Sequence, residues 1–364
     1  MGNYGRSEPL EDTPERAAER KQNHIDICAR ENVESNRMRA SGYFLAPEAL
    51  PEFSSEDVQT QRLFLGRKFS YPLLITGMTG GVSQGQRINE VLAMAAERWN
   101  IPMGLGSQKM MIKRQDYRRL FDVRKVAPSV FLIGNIGAVS FNFGITVDDV
   151  ARMVDDLRLD ACAIHLNALQ ESIQPEGERD FTGLLGHIEK VVKRLPVPVV
   201  VKEVGSGMTA DTCRKIFETG VAAVDVGGHG GTSWSVIEGY RGDRLTSRMG
   251  ELFRNWGLST EEALVECRDV VKVFGDLPAR QLVATGGIRD GLQAALMLAL
   301  GADMCGVGLP FFRAVVNPAD GMSPEDSLNE EIQFFARSLE TAMFCTGARR
   351  IADLSARLRR RALA

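Results

Sequence analysis

The sequence predicts an α/β chain folded as a (β/α)8 TIM barrel with an N-terminal helical extension. Three observations predict it. Eight short apolar runs alternate with helical patterns, which is the signature of βαβ units on a parallel sheet. Most of the runs are continuously apolar, as strands covered on both faces must be. Each run also ends in glycine or a hydrogen-bonding residue, at the end of the strand where a barrel carries its function. A doubly wound sheet is the structural alternative, but eight units is the count of a closed barrel.

Residues 1–11 are polar and read as a flexible start. Residues 12–364 read as one domain: an extension over 12–70, the barrel over about 71–350, and an elaborated mouth loop at 229–258. A helix is expected at 12–31, with Asp12 or Thr13 at its start and Pro14 in its first turn. Residues 32–70 read as an irregular approach. The strand runs are 72–78, 102–107, 131–137, 161–167, 198–204, 222–228, 281–287 and 304–310. Helical patterns lie at 84–98, 113–126, 147–157, 182–194, 209–219, 259–274, 290–300 and about 325–347.

Composition narrows the function classes. The 364 residues are 44% hydrophobic and 25% charged, enough for one large core. A net charge of −3 gives no electrostatic case for nucleic acid or an anionic membrane. Arg118-Arg119 and the tail arginines Arg357, Arg359, Arg360 and Arg361 read as solvated faces, the latter on a C-terminal helix pattern. The six cysteines form no CxxC or zinc-like spacing and read as buried thiols of a reducing compartment. No apolar stretch approaches the roughly 18 residues of a membrane span, and the N-terminus has no signal-peptide core. A soluble, cytoplasmic protein is expected.

The strand ends carry the chemistry. Glycines at the ends of Thr76-Gly77-Met78-Thr79, Gly106-Ser107-Gln108-Lys109, Asn135-Ile136-Gly137 and Gly286-Gly287-Ile288-Arg289 face one mouth. Glycine lets backbone approach a flat ligand, and the polar neighbours orient it. The start of the 290–300 helix, beside Arg289, is the expected phosphate grip, with Gly308-Leu309 as its other wall. A phosphate site at strands seven and eight of a barrel suggests FMN rather than NAD. Lys202, at the end of a buried strand, is expected on the pyrimidine edge of a flavin, where a cation stabilises the reduced anion. His165 and Asn167 are two apart on one strand end and share a face. Glu171 follows them and could hold Mg²⁺ against a phosphorylated substrate. Arg20, Lys21 and His24 form a basic cluster on the first helix, relevant only if that helix folds over the mouth.

At these residues the chain resembles the type 2 isopentenyl diphosphate isomerases. The matching stretches include Arg20-Lys21 with His24, Gly106-Ser107-Gln108, His165-Leu166-Asn167 with Gln170-Glu171, Gln174-Pro175-Glu176-Gly177, and Gly230-Gly231-Thr232-Ser233-Trp234. They keep the family's order over roughly residues 17–355. The resemblance implies interconversion of isopentenyl and dimethylallyl diphosphate on reduced FMN with Mg²⁺, with NADPH needed only to reduce the flavin. It implies FMN contacts from Thr76, Gly77, Met78, Thr79, Ser107, Asn135, Lys202, Thr232, Gly287, Ile288, Arg289, Gly308 and Leu309. Substrate contacts are implied for Arg20, Lys21, His24, Ser107, Gln108, Lys109 and Gln170. Catalytic roles fall to His165, Asn167 and Gln170, and Glu171 is the implied metal ligand. The family also implies a homo-oligomer, a tetramer or octamer.

The sequence departs from the family pattern at four places. Lys109 stands where Arg is usual, Asn23 where an acidic residue is usual, and His229 where a small residue is usual. Leu292-Gln293-Ala294-Ala295 replaces an acidic, Lys-bearing stretch. The alternatives are an FMN-dependent barrel oxidoreductase acting on a 2-hydroxy acid or a larger isoprenoid, and a non-catalytic flavin-binding scaffold. The first wants a His–Arg pair downstream of the lysine strand, where the only histidine is His229.

Overall fold

A computed structural model describes residues 13–34, 42–274 and 280–361, so the expected flexible start at 1–11 lies outside the described residues. Helix α1 (Pro14–Arg30) begins where the sequence signals it. The Thr13 hydroxyl caps the Arg16 amide, and Pro14 occupies the first turn. The stretch expected to be irregular contains strand β1 (Tyr43–Leu45) and the hairpin β2 (Arg62–Phe64) and β3 (Arg67–Phe69). Leu65 and Gly66 turn that hairpin with φ of +46° and +81°, the positive pair that a two-residue hairpin turn needs.

The barrel then runs β4 (Leu73–Ile75), α2 (Ser83–Trp99), β5 (Met103–Gly104), α3 (Lys109–Lys113), β6 (Leu132–Gly137), α4 (Val147–Leu157), β7 (Ala161–Leu166), α5 (Ala168–Ile173), α6 (Leu184–Arg194), β8 (Val199–Glu203), α7 (Ala210–Glu218) and β9 (Ala223–Asp225). It continues through α8 (Trp234–Arg241), α9 (Arg244–Leu252), α10 (Thr260–Phe274), β10 (Gln281–Thr285), α11 (Gly291–Leu300), β11 (Met304–Val307), α12 (Leu309–Val316) and α13 (Pro324–Cys345). Strands β4 to β11 pair in parallel in chain order, and β11 closes on β4. All eight strands fall inside the predicted runs.

Two expectations are corrected. No long helix fills 113–126: a 3-10 turn over Gln115–Leu120 follows α3. The buried residues there, Leu120, Phe121 and Val123, do not form a helical stripe, and buried Arg124 donates to the carbonyls of Val130 and Arg158. The arginine-rich tail is not a helix. A 3-10 turn (Ile351–Arg357) leads into β12 (Leu358–Arg360), which pairs antiparallel with β1. The elaborated mouth loop expected at 229–258 carries a packed helix pair, α8 and α9.

Side-chain alternation divides the barrel into two packing layers. Leu73, Ile75, Val199, Val201 and their equivalents face outward onto the helices. Leu74, Ile133, Ala161, Ala163, Val200, Ala223, Val283 and Met304 face inward and pack with Phe64 and Phe69 of the β2–β3 hairpin. Phe69 meets the Phe131 ring edge-on at 5.4 Å, and Gln281, at the start of β10, bonds the hairpin backbone at both Leu65 and Leu63. The hairpin therefore plugs the N-terminal end of the barrel. Among the described residues no helix is long and apolar enough to cross a membrane. Phe64→Ala should cost about 3–5 kcal/mol through lost burial and a residual cavity; guanidinium unfolding that shows no loss would mean the hairpin does not seal the barrel.

Candidate active site

Two residues beyond the inward apolar layer, the same strand faces turn polar. Thr76, Asn135, His165, Lys202, Asp225 and Thr285 all line one cavity at the C-terminal ends of the strands. Gly306 occupies the β11 position, where a Cβ would meet the Thr285 and Thr76 methyls at 2.2 and 2.6 Å. The cavity is open to solvent on its mouth side, and the empty space counted with that solvent is about 1300 Å³.

Hydrogen bonds fix the ring's left side. Asn135 donates from Nδ2 to the Leu105 carbonyl at 3.0 Å, which turns its Oδ1 toward His165 Nδ1 at 2.9 Å. His165 therefore carries its proton on Nδ1 and offers Nε2 as an acceptor. Burial, reinforced by Lys202, Lys21 and Lys109, holds its pKa well below the ordinary value, so the ring is neutral. Lys202 lies in register between His165 and Asp225. Burial lowers its pKa, and the charges of Asp225 and Glu203 oppose that. Asp225 accepts from the Thr285 hydroxyl at 2.6 Å, yet burial pushes its carboxyl up to about 6. Glu203 turns away into its own loop, where one carboxylate oxygen collects the amides of Gly205, Ser206 and Gly207, and burial pushes it up to about 7.

The basic cluster of α1 does fold over the mouth. Arg20, Lys21 and His24 all line the cavity. Arg20 and Arg241 both pair with Glu176, at 3.2 and 2.7 Å. Arg241 also pairs with Glu238, and Glu238 meets His24 Nε2 at 2.9 Å. His24 rests edge-on against Trp234. Burial works against the Glu238 charge, but His24, Arg241 and Gln170 outweigh it and hold the carboxyl down at about 2. Since Arg241 is a permanent cation, Glu238 stays ionised whether or not His24 is protonated, and burial keeps His24 below its ordinary value. Gln170 donates to Glu238 at 2.8 Å, and its side-chain oxygen lies 3.4 Å from Asn167 Nδ2.

Asn167 and Glu171 sit on the same wall. Asn167 Nδ2 donates to Glu171 Oε1 at 2.9 Å, and the Glu178 amide donates to Oε2 at 2.7 Å. Burial nevertheless raises the Glu171 pKa. Lys109 reaches the cavity paired with Glu178 at 2.6 Å.

Two implied contacts lie behind the wall instead. Gln108 is fully buried and braces the ring from outside, accepting the Asn135 amide at 2.6 Å. Thr79 is buried off the cavity surface, its carbonyl accepting from Asn89. The remaining implied contacts, Gly77, Met78, Ser107, Thr232, Gly287, Ile288, Arg289, Gly308 and Leu309, line the cavity.

The expected phosphate grip also needs correction. The first amides of α11 are already bonded within the protein: Gln293 to Asp290 and Gly291 to Ser338. The Arg289 amide donates to Gln293 Oε1, and its guanidinium pairs with Glu34. By contrast α12 has no side-chain cap, and Gly308, Leu309 and Pro310 at its start line the cavity. The start of α12 is thus one of the helix starts at the cavity that lack a side-chain cap, and it lines the cavity with the Gly286-Gly287-Ile288 turn. Many mouth glycines serve the wall itself: a Cβ at Gly77 would lie 2.0 Å from the Leu105 carbonyl, and one at Gly231 2.6 Å from the Gly287 nitrogen.

Residues 163–361 match the family model described as FMN-dependent dehydrogenase. Curated relatives named isopentenyl-diphosphate delta-isomerase are similar over nearly the whole chain. That of Synechococcus sp. is 43% identical over 90% of this chain and 92% of its own, and that of Rickettsia africae 39% identical over 93% and 96%. The chain belongs to the FMN-dependent, type 2 isopentenyl-diphosphate delta-isomerase family. The isomerase-family barrel is also similar to mandelate oxidase (TM-score 0.63, 18% identity, 96% of this chain and 97% of that one) and to flavocytochrome b2 (TM-score 0.64, 17% identity, 92% and 82%). At those identities the likeness concerns the fold alone. As an isomerase-family enzyme the chain has Asp225 and Thr285 in its ring, which the sequence reading passed over. The period of two from Ala223 and Val283 was the available signal.

Two pH effects on stability follow. Glu238 has a folded pKa below its ordinary 4.5, so stability should be present above that pH and be lost as pH falls toward about 2; Glu238→Gln should remove that slope. Asp225 has the opposite sign: stability should decline as pH rises from about 4 through about 6, and Asp225→Asn should flatten that decline. Denaturant titrations across pH check both.

Proposed function

We propose that this enzyme interconverts isopentenyl and dimethylallyl diphosphate, with FMN seated over the polar ring and Mg²⁺ at Glu171. One observation carries the reading. A single cavity combines a hydrogen-bonded floor around Lys202 with a rim of Arg20, Lys21 and Lys109 beside Glu171. A flat cofactor and a metal-bound diphosphate each have a matching surface there.

The residues fit the cofactor. The Lys202 ammonium donates to no acceptor among the described residues and would meet the electron-rich edge of the flavin. The uncapped start of α12 and the Gly286-Gly287 turn would take its phosphate. Thr76, Asn135 and Thr232 would orient its ring, and Met78 and Ile288 would give it apolar contact. Reduced FMN, primed by NADPH, would supply a proton-exchanging nitrogen with no net redox change. The metal fits as well. Among the described residues no three acidic, His or Cys side chains converge, so a cation here must share its shell with substrate phosphate and water, as Mg²⁺ commonly does. The Asn167 Oδ1 is buried without a partner next to Glu171, an acceptor such a shell would use.

The chain's own groups then divide the work. Arg20, Lys21, Lys109 and the metal would hold the diphosphate and so fix the short apolar tail, which has no other handle. His165 would act as a neutral acceptor at Nε2. Asn167 and Gln170, held by Glu171 and Glu238, would face the reacting carbons. Helix α1 would exclude water above them. The oxidoreductase alternative gains nothing from this cavity, because His229 is buried outside its lining. A cytoplasmic homo-oligomer belongs to the same reading, and the exposed Tyr240, Leu245, Met249, Leu252 and Trp256 of the α8–α9 region support self-association.

Purified enzyme with FMN, NADPH and Mg²⁺ under anaerobic conditions should convert isopentenyl diphosphate; a flavin-loaded protein with no turnover refutes the assignment. Glu171→Gln should retain FMN, read from its visible spectrum, while turnover falls by about 100-fold or more through lost orientation.

A further inference from the structure

The turn after α5 brings a second carboxylate to the metal wall. Gly177 permits it: a Cβ there would lie 1.8 Å from the Glu171 carbonyl, so only glycine lets the chain fold back this closely. The result is that the Glu178 amide reaches Glu171 Oε2 at 2.7 Å, and the Arg179 side chain donates to the Glu171 carbonyl at 3.2 Å. The Glu178 carboxylate lines the same cavity as Glu171 and Asn167. Asn167 is 3% exposed, and its Oδ1 has no hydrogen-bond partner.

Charge accounting at this wall points the same way. Glu176 is paired with two arginines, Arg20 and Arg241. Glu178 is paired with Lys109 alone of the described cations, and Glu171 makes no salt bridge among the described residues. A diphosphate entering here meets two carboxylates that must be compensated. A lysine ammonium is a point charge on a flexible stem, so it can leave one anion for another without breaking a bidentate fork. Lys109 stands where the family pattern has arginine.

We propose that Glu178 is a second carboxylate ligand of the divalent cation beside Glu171, exchanging Lys109 for the metal when a diphosphate binds. This rests on the metal reading of Glu171 given above. Lys109, released by Glu178, turns to the phosphate oxygens. The site then comprises two carboxylates and the Asn167 amide oxygen, completed by phosphate and water, in keeping with the oxygen-rich, partly substrate-built shell of Mg²⁺.

The test is Mn²⁺ binding to the FMN-loaded enzyme in the presence of inorganic pyrophosphate, read by electron paramagnetic resonance. Glu178→Gln should weaken Mn²⁺ affinity about tenfold or more, as loss of a metal-shell group does. Glu171→Gln should weaken it at least as much. Lys109→Gln should weaken pyrophosphate binding and, at pyrophosphate concentrations that saturate the variant, leave Mn²⁺ affinity unreduced. Affinity within twofold of wild type in Glu178→Gln, with Glu171→Gln impaired, overturns the proposal and leaves Glu178 as the counter-ion of Lys109. Unchanged affinity in Glu171→Gln overturns the metal reading itself. Should Glu178→Gln lose flavin or fold, Glu178→Asp keeps the charge but shortens the reach. It should weaken Mn²⁺ binding severalfold, and an unchanged value overturns the proposal.

Discussion

Inward side chains of a closed parallel barrel come in layers two residues apart, and in this protein the layer at the C-terminal ends is polar while the one beneath it is not. The apolar layer, sealed from below by Phe64 and Phe69, gives the ring of Thr76, Asn135, His165, Lys202, Asp225 and Thr285 a rigid, low-dielectric floor. That floor is the reason the ring's groups have displaced pKa values. Burial pushes His165 and Lys202 down and Asp225 up, each toward its neutral form, while the mutual attraction of Lys202 and Asp225 opposes that shift.

The rim follows the opposite logic. Arg20, Glu176, Arg241, Glu238 and His24 form a continuous buried chain of ions and hydrogen bonds linking α1, the turn after α5, and α8. Such a chain is costly to desolvate and costly to break, since removing one member strands its partners. Its consequence is positional. It ties the N-terminal helix over the mouth, and through Glu238 it sets the direction in which Gln170 presents its amide. Floor and rim thus place a neutral acceptor, an amide pair and a set of cations around one small volume.

Much of this was legible from residue order alone. Largely apolar runs located every barrel strand because a strand covered on both faces carries polar residues mainly where they line the cavity at its C-terminal end. The two-residue spacing put His165 and Asn167 on one face, and Thr13-Pro14 marked the start of α1 because capping is a local event. The misreadings have a common physical origin. Arg289 and the start of α11 looked like an anion site because a glycine turn before a helix is a local signature. Whether the amides there are free depends on Ser338 and Glu34, which arrive from distant parts of the chain. Gln108 and Thr79 looked like lining residues because their neighbours are, but a single turn of backbone carries them behind the wall. The 113–126 segment breaks into α3 and a 3-10 turn, and its buried residues Leu120, Phe121 and Val123 lack the helical period.

The sequence by itself determined the barrel and the position of its strands, because apolar runs alternating with helical patterns are local features, and its motifs carried the resemblance to the family. Tertiary structure alone decided that α1 covers the mouth, that the first amides of α11 are bonded to Ser338 and Asp290, and that Glu178 comes to rest against Glu171. These are questions of which partner a group meets. A buried polar group must find some partner, but chain order does not say which, and only packing at close range selects it.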